Sequence, residues 1–210
     1  MEASGRRHTR IGILGGSFNP IHNGHLLAAD IFARRLALDH ILLLPSAAPF
    51  YKPTVLTSYE HRFAMCVLAS ANRANLAVSN LEQTSPGGMY ACDAVSALRR
   101  IYEDAALFLL VGDDVACRMP RWKSITDILS SVHVGVLSRT PQTDARHPLP
   151  PCGKSGITLL TDDTLPLSST MVREAAQRGQ SLDGMVPHAV ARYIFAHHLY
   201  TPVPSSRLNP

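Results

Sequence analysis

The chain has 210 residues, of which 46% are hydrophobic and 17% charged, with a formal net charge of +4. That length and balance suit one globular domain with its own core and exclude a disordered chain. No run reaches the roughly 18–20 apolar residues needed to span a bilayer, and no Lys/Arg run interleaved with aromatics marks a nucleic-acid surface.

Neither a membrane nor a nucleic acid is therefore an expected partner, while a homo-oligomer stays open. Residues 1–9 are basic and read as a flexible tail without the apolar core of a signal peptide. Cys66, Cys92, Cys117 and Cys152 stand singly, with no C-x-x-C pair. Reduced thiols in a cytoplasmic protein are the expectation.

Short apolar runs alternate with amphipathic stretches from residue 11 onward. This is the pattern of an α/β fold, a parallel sheet wrapped by helices, in a single domain over 10–200. Strands are predicted over 11–14, 41–44, 76–79, 107–111, 132–137 and 157–160, several apolar at every position, as expected when both faces are buried. The helices fall between them, over 26–38, 59–72, 90–103, 124–129, 170–178 and 187–198. Thr57-Ser58-Tyr59-Glu60 has capping-box spacing before the second helix. Gly179 punctuates the fifth helix and Pro187 suits the first turn of the last. Residues 45–58, with prolines at 45, 49 and 53, form a loop after a strand, where open α/β sheets bind ligands. Residues 139–156 read as an irregular excursion, and 201–210 as a second tail.

The most informative segment is Gly15-Gly16-Ser17-Phe18-Asn19-Pro20-Ile21-His22-Asn23-Gly24-His25-Leu26. It runs from a strand end to a helix start. Glycines let the backbone approach a ligand closely, and a helix start offers unpaired N–H groups to a phosphate. His22 and His25, three residues apart, can share one side of the helix entrance, with Gly24 expected to leave room for a phosphate between them. A polyanion beside an imidazole favours its charged, donating form. A zinc site would need a third nearby ligand, which the spacing lacks. Neither a P-loop nor G-x-G-x-x-G follows the first strand.

This segment resembles the H-x-G-H signature of the nucleotidyltransferase superfamily, whose adenylyltransferases bind ATP on a Rossmann-like sheet. A second resemblance lies in Leu167-Ser168-Ser169-Thr170-Met171-Val172-Arg173, similar to the superfamily's I-S-S-T-x-I-R segment. Together they imply a Rossmann-like parallel sheet with a small C-terminal helical element. They also imply His22, His25 and Arg173 as catalytic residues. Gly15, Gly16, Ser17, Phe18, Gly24, Ser168, Ser169 and Thr170 would contact ATP. Lys52 matches the lysine of a P-x-H-K loop, with Tyr51 in place of the histidine.

Gly112-Asp113-Asp114, followed by Trp122, resembles the G-x-D…W pattern of bacterial nicotinate-nucleotide adenylyltransferases. There Gly112 and Asp114 would face ATP and Trp122 would hold a pyridine ring. Tyr90 matches the tyrosine of an S-Y-T segment whose flanks here are Met89 and Ala91, so both hydroxyls are missing. Arg139 matches an arginine after a late strand. The implied substrates are ATP and nicotinate mononucleotide, with Mg2+ as cofactor and no protein metal cage. The alternatives are nicotinamide mononucleotide or phosphopantetheine as acceptor, although pantetheine-phosphate adenylyltransferase carries threonine where His22 stands. A non-catalytic nucleotide sensor is the other class.

Overall fold

The computed structural model describes residues 8–47, 57–84, 88–138 and 156–201. Their centre is β1 (Arg10–Gly16), which has four consecutive buried residues. It pairs in parallel with β2 (His40–Pro45) on one side and β4 (Ala106–Gly112) on the other, so that Ile13 lies opposite both Leu42 and Leu109. β3 (Leu76–Val78), β5 (His133–Ser138) and β6 (Ile157–Thr161) complete a parallel sheet in the order β3-β2-β1-β4-β5-β6. This is the Rossmann order, and the chain reverses direction across the sheet between β1 and β4. Loops leaving the carboxyl ends of those two strands therefore border one crevice.

Both faces of the sheet are covered, and the two-residue period of the strands divides their side chains between two cores. Leu14, Ile41, Leu43, Phe108 and Leu110 face one core. Its other wall comes from α1 (Asn23–Arg35), α2 (Tyr59–Ser70), α6 (Ser169–Gln177) and α7 (His188–Ala196), through residues such as Phe32, Met65, Val172 and Ile194. Ile11, Ile13, Leu42, Leu44, Leu107 and Leu109 face the other. There α3 (Ala91–Ile101) and α5 (Ile125–Ser131) supply Val95, Leu98, Ile128 and Leu129.

The strand and helix order agrees with the sequence pattern, and the differences are local. α1 starts at Asn23 rather than 26, because His22 takes the N-cap position and the His22 N–H donates to Nδ1 of His25. The capping box expected at Thr57 does not form. Ser58 holds the cap position without a side-chain cap bond, and the Thr57 carbonyl accepts from Arg62 Nε. Pro187 sits at the cap of α7 and not inside its first turn, its carbonyl accepting from Val190 and Ala191. Gly179 does end α6, in a left-handed conformation (φ 66°) open to most other residues only with strain. One-turn elements escaped the pattern altogether: α4 (Asp113–Ala116) and 3-10 turns over Leu81–Thr84 and Met119–Arg121. A single turn is too short to show a helical period.

Phe32 is 1% exposed and joins α1 to the sheet, its Cε1 lying 3.2 Å from where a side chain on Gly135 of β5 would begin. Phe32→Ala is expected to destabilise the fold by about 3–5 kcal/mol, the usual range for a fully buried phenylalanine. Urea unfolding followed by circular dichroism measures it.

Candidate active site

The turn from β1 into α1 is held in an unusual shape. Phe18 has φ 43°, a conformation costly for a bulky residue, yet its ring is 2% exposed. Burial of that ring offsets the strain. One face of the ring covers Gly16, where an added Cβ would meet Phe18 Cζ at 3.3 Å, and its edge meets the His25 ring with centroids 5.1 Å apart. Gly15, by contrast, faces open space at the end of the strand. The His22 and His25 rings stack at 3.7 Å, and His22 is buried at 4% exposure.

The expectation that Gly24 clears room for a phosphate is corrected here. An added Cβ would lie 3.0 Å from Nδ1 and 3.1 Å from Cε1 of His22, so the missing side chain makes room for the imidazole itself.

The second motif folds onto this turn. Ser168 caps α6, its Oγ accepting from the Met171 N–H. Ser169 Oγ donates to the Pro20 carbonyl at 2.8 Å, and Arg173 Nη1 donates to the Asn19 carbonyl at 2.8 Å. Arg173 Nη2 also donates to Thr170 Oγ1. Segments about 150 residues apart in the chain thus meet at two hydrogen bonds. A third tie joins Asn23 to the loop before α7, through bonds to the Met185 and Gly184 carbonyls.

At the end of β4, Gly112 caps α4. Asp113 is engaged on both oxygens, by Ser138 Oγ and by the Asp114 N–H. The Asp114 carboxylate makes a 3.4 Å pair with exposed Arg118, and its Oδ1 lies 2.8 Å from where a side chain on Gly112 would begin. Trp122 is half-buried and packs on the same core edge as Met89 and Ala91. Tyr90, between those two, is 43% exposed, with Lys123 Nζ 4.7 Å from its ring centroid. Lys52 and Arg139 lie outside the described residues.

A family model described as cytidylyltransferase-like matches residues 13–175. A relative from Clavibacter michiganensis subsp. michiganensis, named "probable nicotinate-nucleotide adenylyltransferase", is 36% identical over 91% of this chain and 94% of its own. One of the same name from Gemmatimonas aurantiaca is 38% identical over 93% of this chain and 94% of its own. The chain belongs to the nicotinate-nucleotide adenylyltransferase family. A solved structure, nicotinic acid mononucleotide adenylyltransferase from Plasmodium falciparum complexed with NaAD, has the same fold. Its TM-score is 0.74 at 19% identity, covering 92% of this chain and 98% of that one.

In this adenylyltransferase the donors gathered at the crevice are imidazoles, hydroxyls and a guanidinium, a set suited to polyphosphate. Among the described residues no group of three or more His, Cys, Asp or Glu could hold a metal ion.

Behind the crevice lie polar residues that sequence reasoning passed over. Asn19 is buried, and its side-chain oxygen accepts from Tyr200 Oη at 2.8 Å. Arg62 and Glu82 are buried as well. A signal for Arg62 existed: it shares the i, i+3, i+4, i+7 stripe of α2 with Met65, Cys66 and Ala69, all buried.

Burial pushes the Tyr200 phenol up to about 12, against the smaller lowering effects of Thr57, Arg173 and Arg62. The unfolded chain releases that proton near pH 10, before the folded one does. Tyr200 therefore contributes fully below about pH 10, and its contribution is lost as pH rises toward 12. Stability measured by urea unfolding between pH 9.5 and 11 should fall more steeply for the wild type than for Tyr200→Phe. The difference should not exceed about 1.4 kcal/mol per pH unit. Parallel curves would refute the assignment.

Proposed function

We propose that the chain transfers the adenylyl group of ATP to the phosphate of nicotinate mononucleotide, yielding pyrophosphate and nicotinate adenine dinucleotide, a step of NAD biosynthesis. The observation that carries this reading is the closure of the hydroxyl–guanidinium segment of α6 onto the turn that bears the two imidazoles. The names carried by the relatives agree with it.

In such a transfer an acceptor phosphate oxygen attacks the α-phosphorus in line and pyrophosphate departs. No protein nucleophile is required; positioning and donors aimed at the developing charge lower the barrier. His22 and His25 donate to the phosphates around the reacting centre. Gly15, Gly16, Ser17 and Phe18 offer backbone at the strand end, and Ser168, Ser169, Thr170 and Arg173 hold the triphosphate from the α6 side. ATP enters as its Mg2+ complex, the metal spreading the charge of triphosphate and leaving group. Lys52 supplies a further cation to the phosphates, and Gly112 and Asp114 border the nucleoside.

The acceptor ring is assigned to the crevice edge formed by Trp122 and Tyr90, and Arg139 is a further acceptor-binding candidate. Lys123 beside the Tyr90 ring favours the acid over the amide, since a cation there complements a pyridine carboxylate. Free thiols at Cys66, Cys92 and Cys117 fit a reducing, cytoplasmic setting, and among the described residues no helix is long and apolar enough to cross a membrane.

His22→Ala and His25→Ala should each lower kcat by about 10²–10³, the usual effect of losing a preorganised donor. Pyrophosphate release at saturating ATP and nicotinate mononucleotide measures this; near-normal turnover in both would reject the roles. Trp122→Ala should raise KM for nicotinate mononucleotide roughly two- to tenfold, the worth of one stacking contact, and leave KM for ATP unchanged. Equal rises in both constants would place Trp122 in the fold rather than at the ring.

A further inference from the structure

Arg62 is the largest fully buried side chain among the described residues, at 1% exposure, and no role in the reaction requires it to touch substrate. Arginine is rarely buried this deeply, because losing hydration disfavours its charge. Burial does pull its pKa below the ordinary value, while neighbours including Tyr200, Tyr59 and Glu82 oppose that. Among the described residues no carboxylate forms a close ion pair with it. Its donors go to three backbone carbonyls instead: Nη1 to Ser17 at 2.7 Å, Nε to Thr57 at 2.9 Å and Nη2 to Ala47 at 3.4 Å. Glu82, also buried, accepts from the Ala47 N–H at 3.0 Å and so holds the same residue from its other side.

The strongest of these bonds is made to the phosphate turn. The Ser17–Phe18 peptide is trans, so its N–H points away from its C=O. Drawing the Ser17 carbonyl inward to Arg62 therefore aims the Phe18 N–H outward. The same plane sets the start of the left-handed Phe18 residue, whose ring edge packs on His25. On the other side of the turn Tyr200 donates to the Asn19 side chain, and the Asn19 carbonyl receives Arg173. The turn is thus held by guanidinium groups from both α2 and α6.

We propose that Arg62 is a positioning residue for adenylyl transfer: by fixing the Ser17–Phe18 peptide plane, it holds the phosphate turn and the His25 imidazole in reacting geometry. The inference rests on the catalytic reading of His25. A planar fork is needed because three carbonyls in fixed directions must be reached at once, which the compact ammonium of lysine cannot do.

The test is a double-mutant cycle on kcat with Arg62→Lys and His25→Ala, each protein checked by circular dichroism and thermal unfolding. Arg62→Lys alone should lower kcat by about 10²-fold, the scale of a misplacement near 1 Å, with KM for nicotinate mononucleotide little changed. In the His25→Ala background the same change should cost less than about threefold, because the group it positions is gone. Equal losses in both backgrounds would reduce Arg62 to a fold residue and overturn the proposal, as would a folded Arg62→Lys enzyme of normal kcat. Should Arg62→Lys fail to fold, Arg62→Gln removes the buried charge while keeping a planar donor, and the cycle is read on that variant by the same criteria. Normal turnover in His25→Ala itself would instead reject the catalytic reading on which the inference depends.

Discussion

β1 is hydrogen-bonded to a parallel strand on each side, and the site hangs from its carboxyl end. A strand clamped in this way cannot shift its register without moving Ile11 and Ile13 from one core to the other. The direction in which the chain leaves at Gly16 is therefore fixed by the whole sheet. Because the strand order reverses beside β1, the end of β4 lies next to that exit, and Gly112 borders the same crevice as Gly15. Placing the β1–α1 turn and the end of β4 side by side follows from topology before any site residue is named.

What keeps the turn in shape is an accounting of carbonyl groups. Buried main-chain oxygens need donors, and an irregular turn cannot supply them from its own backbone. The Ser17, Asn19 and Pro20 carbonyls are met instead by Arg62, Arg173 and Ser169, from α2 and α6. Drawn into the protein, those oxygens do not face a bound anion, which a carbonyl would repel. The arrangement also explains why residues so distant in sequence act on one turn. Donors from that turn's own neighbourhood would have to come from the side the ligand occupies.

Much of this was legible in the sequence, for identifiable reasons. Continuous apolar runs such as 107–111 marked strands buried on both faces, and the glycine, histidine and hydroxyl motifs marked two segments that meet in the fold. Less legible were features set by tertiary contact. Arg62 has the composition of a surface residue and the spacing of a core residue, and spacing alone reveals it. Gly24 suggested space for a ligand, whereas the space belongs to the His22 ring, which no local pattern could show. Thr57 had the right spacing for a cap, but Ser58 takes the cap position, and the Thr57 carbonyl is turned to the buried Arg62.

The two halves of the crevice are built on different physical terms. On the phosphate side, Phe18, Asn19, His22 and Arg62 are all buried, and hydrogen bonds to backbone determine the geometry many times over. Such a half is organised before substrate arrives, which suits chemistry that depends on positioning. On the acceptor side, Tyr90 is largely open, Lys123 is exposed, and Trp122 is only half-buried and packs against the second core. A flat ring entering there would complete the stack itself. Changes in the first half must then disturb fold and rate together, since the same hydrogen bonds serve both. Changes in the second can alter which acceptor is held while leaving the nucleotide-handling half untouched.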